Sequence, residues 1–507
     1  AESLPLRFTM PKKKEEEEDD DDVSDVEIDG EEEEEDEASS NDLSNADIVT
    51  KYRTAGEIAN KVLAAIIEAC KAEARVVDLC NLGDGLIMEL TGKIYNNKKD
   101  GKKIEKGVAF PTCISVNNCV GHYSPLLSED KIVLADGDMV KIDLGVHVDG
   151  YVAVVAHTHL IGAEKAEGRK ADVVMAAWTA AELAQRMLKD GATNTDITKA
   201  IAEVADAYKC NPVEGVLSHQ MKKHVIDANK TIINKTTTDQ QVPEATIDKN
   251  DVFAIDIVMS TGEGKPKALD NRTTVFKRNV EAKYSLKMKA SRQFFSEVNT
   301  RFPTMPFTLR AGDEKVWRMG VVECVKHDLF IEYPVLYEKP EEFVAQYKFT
   351  AMLLPSGNTT RITAGPTPEA SSENALKDPA LLELLSTSTE SKRKKKKTTR
   401  RRKRAAMMRR RTPWTQTEHA ASFLAAAARQ DCKAPSSPDT GWADDKGCSA
   451  QACNVAPPTH QTCTHTSALL CDALCVLVRA TLEATGSICI LAFRGELQAA
   501  VKSSTWM

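Results

Sequence analysis

A chain of 507 residues with 42% hydrophobic and 28% charged side chains holds enough apolar material for a layered core. Six of its thirteen cysteines lie widely spaced before position 330 and seven crowd between Cys432 and Cys489; with no secretory signal read at the start, a reducing, cytosolic or nuclear compartment is expected. No apolar run reaches the about 18 residues of a bilayer-spanning helix, so no membrane partner is expected. The formal net charge of −8 averages two opposed blocks: residues 15–37 hold 18 acids in 23 positions, and residues 392–411 hold 14 bases in 20. Like charges at that density repel one another and keep a segment solvated, so residues 1–44 read as a disordered acidic tail.

Periodic structure is expected from Asn45, where Ile58, Val62, Leu63, Ile66 and Ile67 recur on one helical face. Residues 139–143 and 151–156 read as strands, and Asp149-Gly150 between them is a hairpin signal. A helix is expected over 173–188, stopped by Lys189-Asp190-Gly191 with the glycine at C′. Another is expected over 196–208, capped by Asn194 or Thr195. Residues 253–259 and 347–354 are further strands. The intervening Thr261-Gly262-Glu263-Gly264-Lys265 lacks the spacing of a phosphate-binding loop and reads as a tight turn. Such mixing of helices, strands and hairpins indicates α/β or α+β layers around one core.

Between about 283 and 318 a basic, aromatic insertion interrupts the pattern, with Lys287, Lys289 and Arg292 beside Phe294 and Phe295. The cations suit phosphate contacts, whereas the phenylalanines with Val298 read as the core face of a helix. Periodicity is lost after Gly365, so residues 366–411 are expected to be linker and basic tail. That tail contains Lys394, Lys395, Lys396, Lys397, Arg400, Arg401 and Arg402, the stronger candidates for RNA contact. Residues 412–507 suggest no domain. Their Cys453, His460, Cys463 and His465 lack the tight Cys-x-x-Cys pair of a zinc site.

Several motifs carry a family resemblance over about 45–365. They include Phe110-Pro111-Thr112, Ser115-Val116-Asn117-Asn118-Cys119, Lys141-Ile142-Asp143-Leu144-Gly145, Leu217-Ser218-His219-Gln220 and Met305-Pro306-Phe307-Thr308-Leu309-Arg310. With these the chain resembles the proliferation-associated, Erb-B-receptor-binding family, a branch of the type II methionine aminopeptidase-like fold. The resemblance implies a pita-bread α/β fold with a helical insertion. Active enzymes of that fold hold two metals with two aspartates, a histidine and two glutamates. Carried over onto this sequence, those positions are Asp143, Val154, Val216, Asp256 and Lys348. A protonated lysine has three donors and no lone pair, so Lys348 cannot ligate a dication, and no cofactor is expected.

The resemblance further places His122 and His224 in a residual substrate pocket. The convergence of Asp143, Asp256 and Lys348 suggests a buried Asp–Lys–Asp cluster, with the ammonium supplying the charge that metals supply in the enzymes. The function implied is a non-catalytic adaptor, a monomer, that binds ribosomal RNA and the large ribosomal subunit. Other structured RNAs and regulatory proteins are further expected partners, with the protein distributed between cytoplasm, nucleus and nucleolus. The competing readings are a protein scaffold or transcriptional co-regulator whose basic tail serves nuclear targeting, and an active metalloaminopeptidase.

Overall fold

The computed structural model describes residues 39–97, 103–129 and 131–389. Its centre is a nine-stranded sheet whose main strands are β1 (Lys106–Val116), β2 (Met139–Val148), β3 (Tyr151–Leu160), β4 (Leu217–Met221), β5 (Val252–Ser260) and β6 (Val344–Leu353). Across the sheet they run β1-β2-β3-β6-β5-β4, and every one of these neighbours is antiparallel. The C-terminal strand β6 therefore lies between the hairpin of the first half and the strands of the second.

Four helices cover one face. Helix α1 (Ala46–Ala69) packs on β2 and β3, and α2 (Val76–Gly92) packs on β1. Helix α3 (Gly168–Met187) lies on β5 and β6, with α4 (Asn194–Ala207) beside it. Side-chain alternation decides what each face carries. Leu144, Val155, Phe349 and Ile255 are directly paired across four strands and are buried under the helices. One residue along each strand, Asp143, Ala156, Lys348 and Asp256 form the adjacent row on the opposite face.

The β2–β3 hairpin is the one expected from Asp149-Gly150. Both residues have left-handed backbone angles, φ 56° and 77°, as a two-residue turn that matches strand twist requires. Some local expectations need correction. The cap of α4 is Thr193, whose side chain accepts from the Asp196 N–H, while Asn194 is the first helical residue. Helix α3 ends at Met187 with Leu188 as its cap, so Gly191 is not at C′. Instead it occupies the following turn, where its N–H donates to Ile247 O.

Packed structure also extends past both expected boundaries. Leu43 is buried and its N–H donates to Asn250 Oδ1. Beyond Gly365, Ala370–Ser371 pairs with Ala166–Glu167, and α7 (Pro379–Ser386) places Leu381, Leu384 and Leu385 against the α3 core. The acidic block 15–37 and residues 390–507 lie outside the described residues.

The insertion has its own core. Helices α5 (Lys289–Arg301) and α6 (Glu314–Lys326) bury Phe294, Val298, Trp317, Val321 and Cys324 with Phe307 and Phe330. Phe294 and Val298 are thus packing residues, as expected, whereas Phe295 is half-buried beneath the Arg278 guanidinium. The tight turn after β5 is also present: Gly264 has φ 71° and donates its N–H to Glu338 Oε2.

A Cβ at Gly150 would meet the His224 ring at 2.7 Å in a left-handed conformation. Gly150→Ala is expected to cost about 1–3 kcal/mol, read as a lower urea midpoint with an unchanged m value.

Candidate functional site: an ion cluster on the open face of the sheet

Lys348 lies across from Asp256 on β5 and from Ala156 on β3, and beyond Ala156 comes Asp143. Strands stand about 4.8 Å apart, so Asp143 and Lys348 start about 10 Å apart at their Cα atoms. The methyl of Ala156 leaves a gap through which the lysine reaches. Its Nζ lies 2.6 Å from Asp143 Oδ2 and 2.9 Å from Asp256 Oδ2. Gln346, two residues back on the same face, donates to Asp256 Oδ1 at 2.9 Å. The Phe110 ring closes over the ammonium with its centroid 5.4 Å away.

Burial works against the charge on Lys348, but Asp143 and Asp256 outweigh it and hold the ammonium above the ordinary lysine range. Burial pushes the Asp143 carboxyl up to about 6, against the pull of Lys348 and with a contribution from Asp256. One oxygen of Asp143, Oδ1, is buried without a hydrogen-bond partner, which adds to the cost of its charge. The cluster is therefore held together by the ammonium.

His122 stands at the edge of this site. Its Nδ1 is 3.1 Å from Pro334 O, and its ring packs against Phe110 and Tyr333. Burial and the nearby Lys348 lower its pKa to about 4, so the imidazole is neutral at physiological pH. Its left-handed φ of 65° is uncommon for a non-glycine residue and is held by that packing.

The structure does not bring His224 here. That residue follows β4 and packs against the β2–β3 turn, with its N–H donating to Gly150 O and with Glu105, Lys223 and Asp149 as its charged neighbours. Along the hairpin this is about 20 Å from Asp143. The imidazole that does face the cluster is His219 on β4, which is half-buried, senses both Asp256 and Lys348, and leaves a buried Nδ1 without a partner. Val216 packs separately among Val120, Val213, Val258 and Val344. The expected grouping of His122 with His224, with Val216 in the imidazole position, thus gives way to His122 and His219. His219 lies inside a motif visible in the sequence, but only the pairing of His219 with Ala254 places it on this face.

This donor set does not fit a dinuclear metal centre. Asp143 and Asp256 both turn an oxygen to an ammonium, and Val154 offers only methyl groups, buried near Phe110 and Cys113. Among the described residues no group of three or more His, Cys, Asp or Glu side chains is arranged to hold a metal.

The candidate RNA residues of the insertion are exposed at the start of α5. Lys287 and Lys289 project there, while Arg292 Nη1 donates to Leu286 O at 3.1 Å and Lys287 O at 2.6 Å, bracing the loop. The Glu323 carboxylate accepts from the Lys287 and Met288 N–H groups, so the helix N-terminus already has its anion. Lys394, Lys395, Lys396, Lys397, Arg400, Arg401 and Arg402 lie outside the described residues, as do Cys453, His460, Cys463 and His465.

Replacing Lys348 by methionine is expected to cost about 3–5 kcal/mol at pH 7.5, because two buried carboxylates lose their counter-charge. The raised pKa of Lys348 makes its stabilisation complete throughout neutral pH and lost only in strong alkali. The raised Asp143 pKa has the opposite consequence in its own window. The folded state gains protons that the unfolded state has lost, so stability falls as pH climbs from about 4 to 6. Without the ammonium that fall deepens. Urea unfolding of Lys348→Met from pH 4.5 to 7.5 is expected to show most of the deficit disappearing at the acid end.

Residues 50–275 match metallopeptidase family M24. ERBB-3 binding protein 1 of Arabidopsis thaliana is 52% identical over 351 residues, which are 69% of this chain and 88% of that protein. The curved DNA-binding protein of Schizosaccharomyces pombe is 37% identical over 353 residues, 68% of this chain and 91% of its own length. A solved structure described as a thermophilic Arx1 superposes with a TM-score of 0.64 at 30% identity, covering 68% of this chain and all of its own. The fold, the row of paired positions across its sheet and these relatives agree: the chain belongs to the ErbB-3-binding, proliferation-associated branch of the M24 metallopeptidase family.

Proposed function

We propose that this protein is a non-catalytic member of the M24 fold that acts as an adaptor, binding structured RNA on the large ribosomal subunit and serving ribosome biogenesis, translation and growth control. The observation that carries the first half is the position of Lys348 Nζ, within 3 Å of both carboxylates at the floor of the site. Metal-assisted hydrolysis needs a Lewis acid or a metal-activated water at that place. An ammonium held above its ordinary pKa supplies neither. In this reading Asp143, Val154, Asp256 and Lys348 are the remnants of a metal site, with His219 the imidazole beside them.

Support for the second half comes from charge. Lys287 and Lys289 are exposed on the insertion, and the basic run 392–411 offers a longer polycation. Phosphate neutralisation by such groups releases counterions and gives affinity without base specificity. That one relative is named for binding curved DNA is in keeping with a nucleic-acid partner. The same charges fit residence in the nucleus and nucleolus as well as the cytoplasm.

Sedimentation of the tagged full chain on sucrose gradients at about 100 and 500 mM salt tests the adaptor reading. Co-migration with large subunits at the lower salt, lost at the higher and after RNase, is the expected outcome; migration at the top of both gradients would reject it. Lys287→Glu and Lys289→Glu are each expected to lower the slope of log K against log salt by about one. Release of methionine from a peptide by metal-supplemented protein would overturn the non-catalytic reading.

A further inference from the structure

The insertion has a second surface, which shares only Lys289 with the RNA reading. Helix α6 buries Trp317, Gly320, Val321 and Cys324, and the stripe opposite reads Lys315, Met319, Val322, Lys326. These positions follow spacings of four, three and four and therefore share one face, about 16 Å long. Met319 is 59% exposed and Val322 60%, although both are apolar. Across the helix crossing, Met288 is 42% exposed at the start of α5. Between them runs a groove of about 480 Å³ lined by Met288, Lys289, Ala290, Gln293, Val316 and Met319.

The two helices meet closely for a local reason. A Cβ on Gly320 would meet Phe294 Cβ at 2.5 Å and Ala290 O at 2.8 Å, so the missing side chain lets α5 and α6 approach closely. Around the groove, Lys289, Lys315 and Lys326 are exposed, and none forms an ion pair among the described residues. Two acids stand nearby and both are engaged: Glu323 accepts from the backbone at the start of α5, and Glu297 accepts from Gln293 and from the Trp317 indole.

We propose that this groove docks an acidic amphipathic helix of a protein partner, about three turns long. Its apolar residues would lie against Met288, Val316 and Met319 and extend over Val322 beside the groove, and its carboxylates would meet Lys289, Lys315 and Lys326. Methionine side chains are flexible and polarisable, which suits an apolar groove that receives a helix. Charge complementarity selects the occupant. A second copy of the same face would set lysine against lysine, which disfavours an isologous dimer. RNA would gain phosphate contacts from the lysines but nothing from the exposed methionines and valine, since no aromatic ring is present for a base to stack on. The chain's own acidic block, 15–37, carries only Val23, Val26 and Ile28 as apolar anchors.

The test is fluorescence anisotropy of the full chain with a designed sixteen-residue helix bearing leucines at i, i+3, i+7 and i+10 and glutamates on its flanks. A twin with lysine in place of glutamate serves as the charge control. The acidic helix is expected to bind at least about tenfold more tightly than its twin. Met319→Asp and Val322→Asp should each weaken it at least about tenfold, Lys315→Glu should weaken it, and Lys61→Glu on α1 should not. All four substitutions are at exposed positions, and circular dichroism verifies that the variants remain folded. No binding of the acidic helix, or equal binding of both helices, overturns the proposal. A peptide of residues 15–37 that binds more tightly and loses affinity in Met319→Asp would reassign the groove to this chain's own terminus. Duplex RNA that displaces the helix and is itself weakened by Met319→Asp would reassign it to nucleic acid. The adaptor reading is tested separately by sedimentation, and either can fail alone.

Discussion

One ammonium and two carboxylates set the terms for the open face of this sheet. Asp143 and Asp256 come from strands on either side of the β3–β6 pair, and Lys348 draws both to one atom. Two carboxylates facing one another under an aromatic ring would repel and would each lose hydration. The lysine converts that liability into a bond between the halves of the fold, since β2 belongs to the first and β5 to the second. A metal pair could do the same and also activate water. An ammonium performs only the structural part.

The same argument explains why an ammonium in this row need not loosen the molecule. The row behind the cluster, Leu144, Val155, Phe349 and Ile255, is apolar and lies beneath the helices. Its packing does not depend on what the opposite face carries. A sheet so covered can alter its open-face chemistry by single residues, as alternation allows neighbouring positions on one strand to serve separate surfaces. The insertion extends this independence, because its core of phenylalanines and Trp317 is its own.

Much of this was legible in the sequence where local chemistry decides. Asp149-Gly150 gave the hairpin, since few other pairs take two successive left-handed conformations cheaply. Lys348 announced the ion cluster, since an ammonium that can only donate finds its acceptors in Asp143 and Asp256. The family motifs gave the pita-bread fold. What escaped was set by register and tertiary contact. His219 belongs to the site only because β4 pairs with β5 at Ala254, and Val216 is excluded by the same pairing. Thr193 rather than Asn194 caps α4 because the Asn194 side chain is occupied elsewhere, donating to Thr231 O and Pro243 O. The elements after Gly365 are short, and no periodic pattern announces a two-residue strand.

Ala156 has the least chemistry of the row, yet it sets what its neighbours can become. Lys348 crosses the strand that carries it, and a side chain much larger than methyl would stand in the path. Positions 156 and 348 are therefore coupled by shape alone: a bulky residue at 156 would block the lysine and strand two acids with no cation between them.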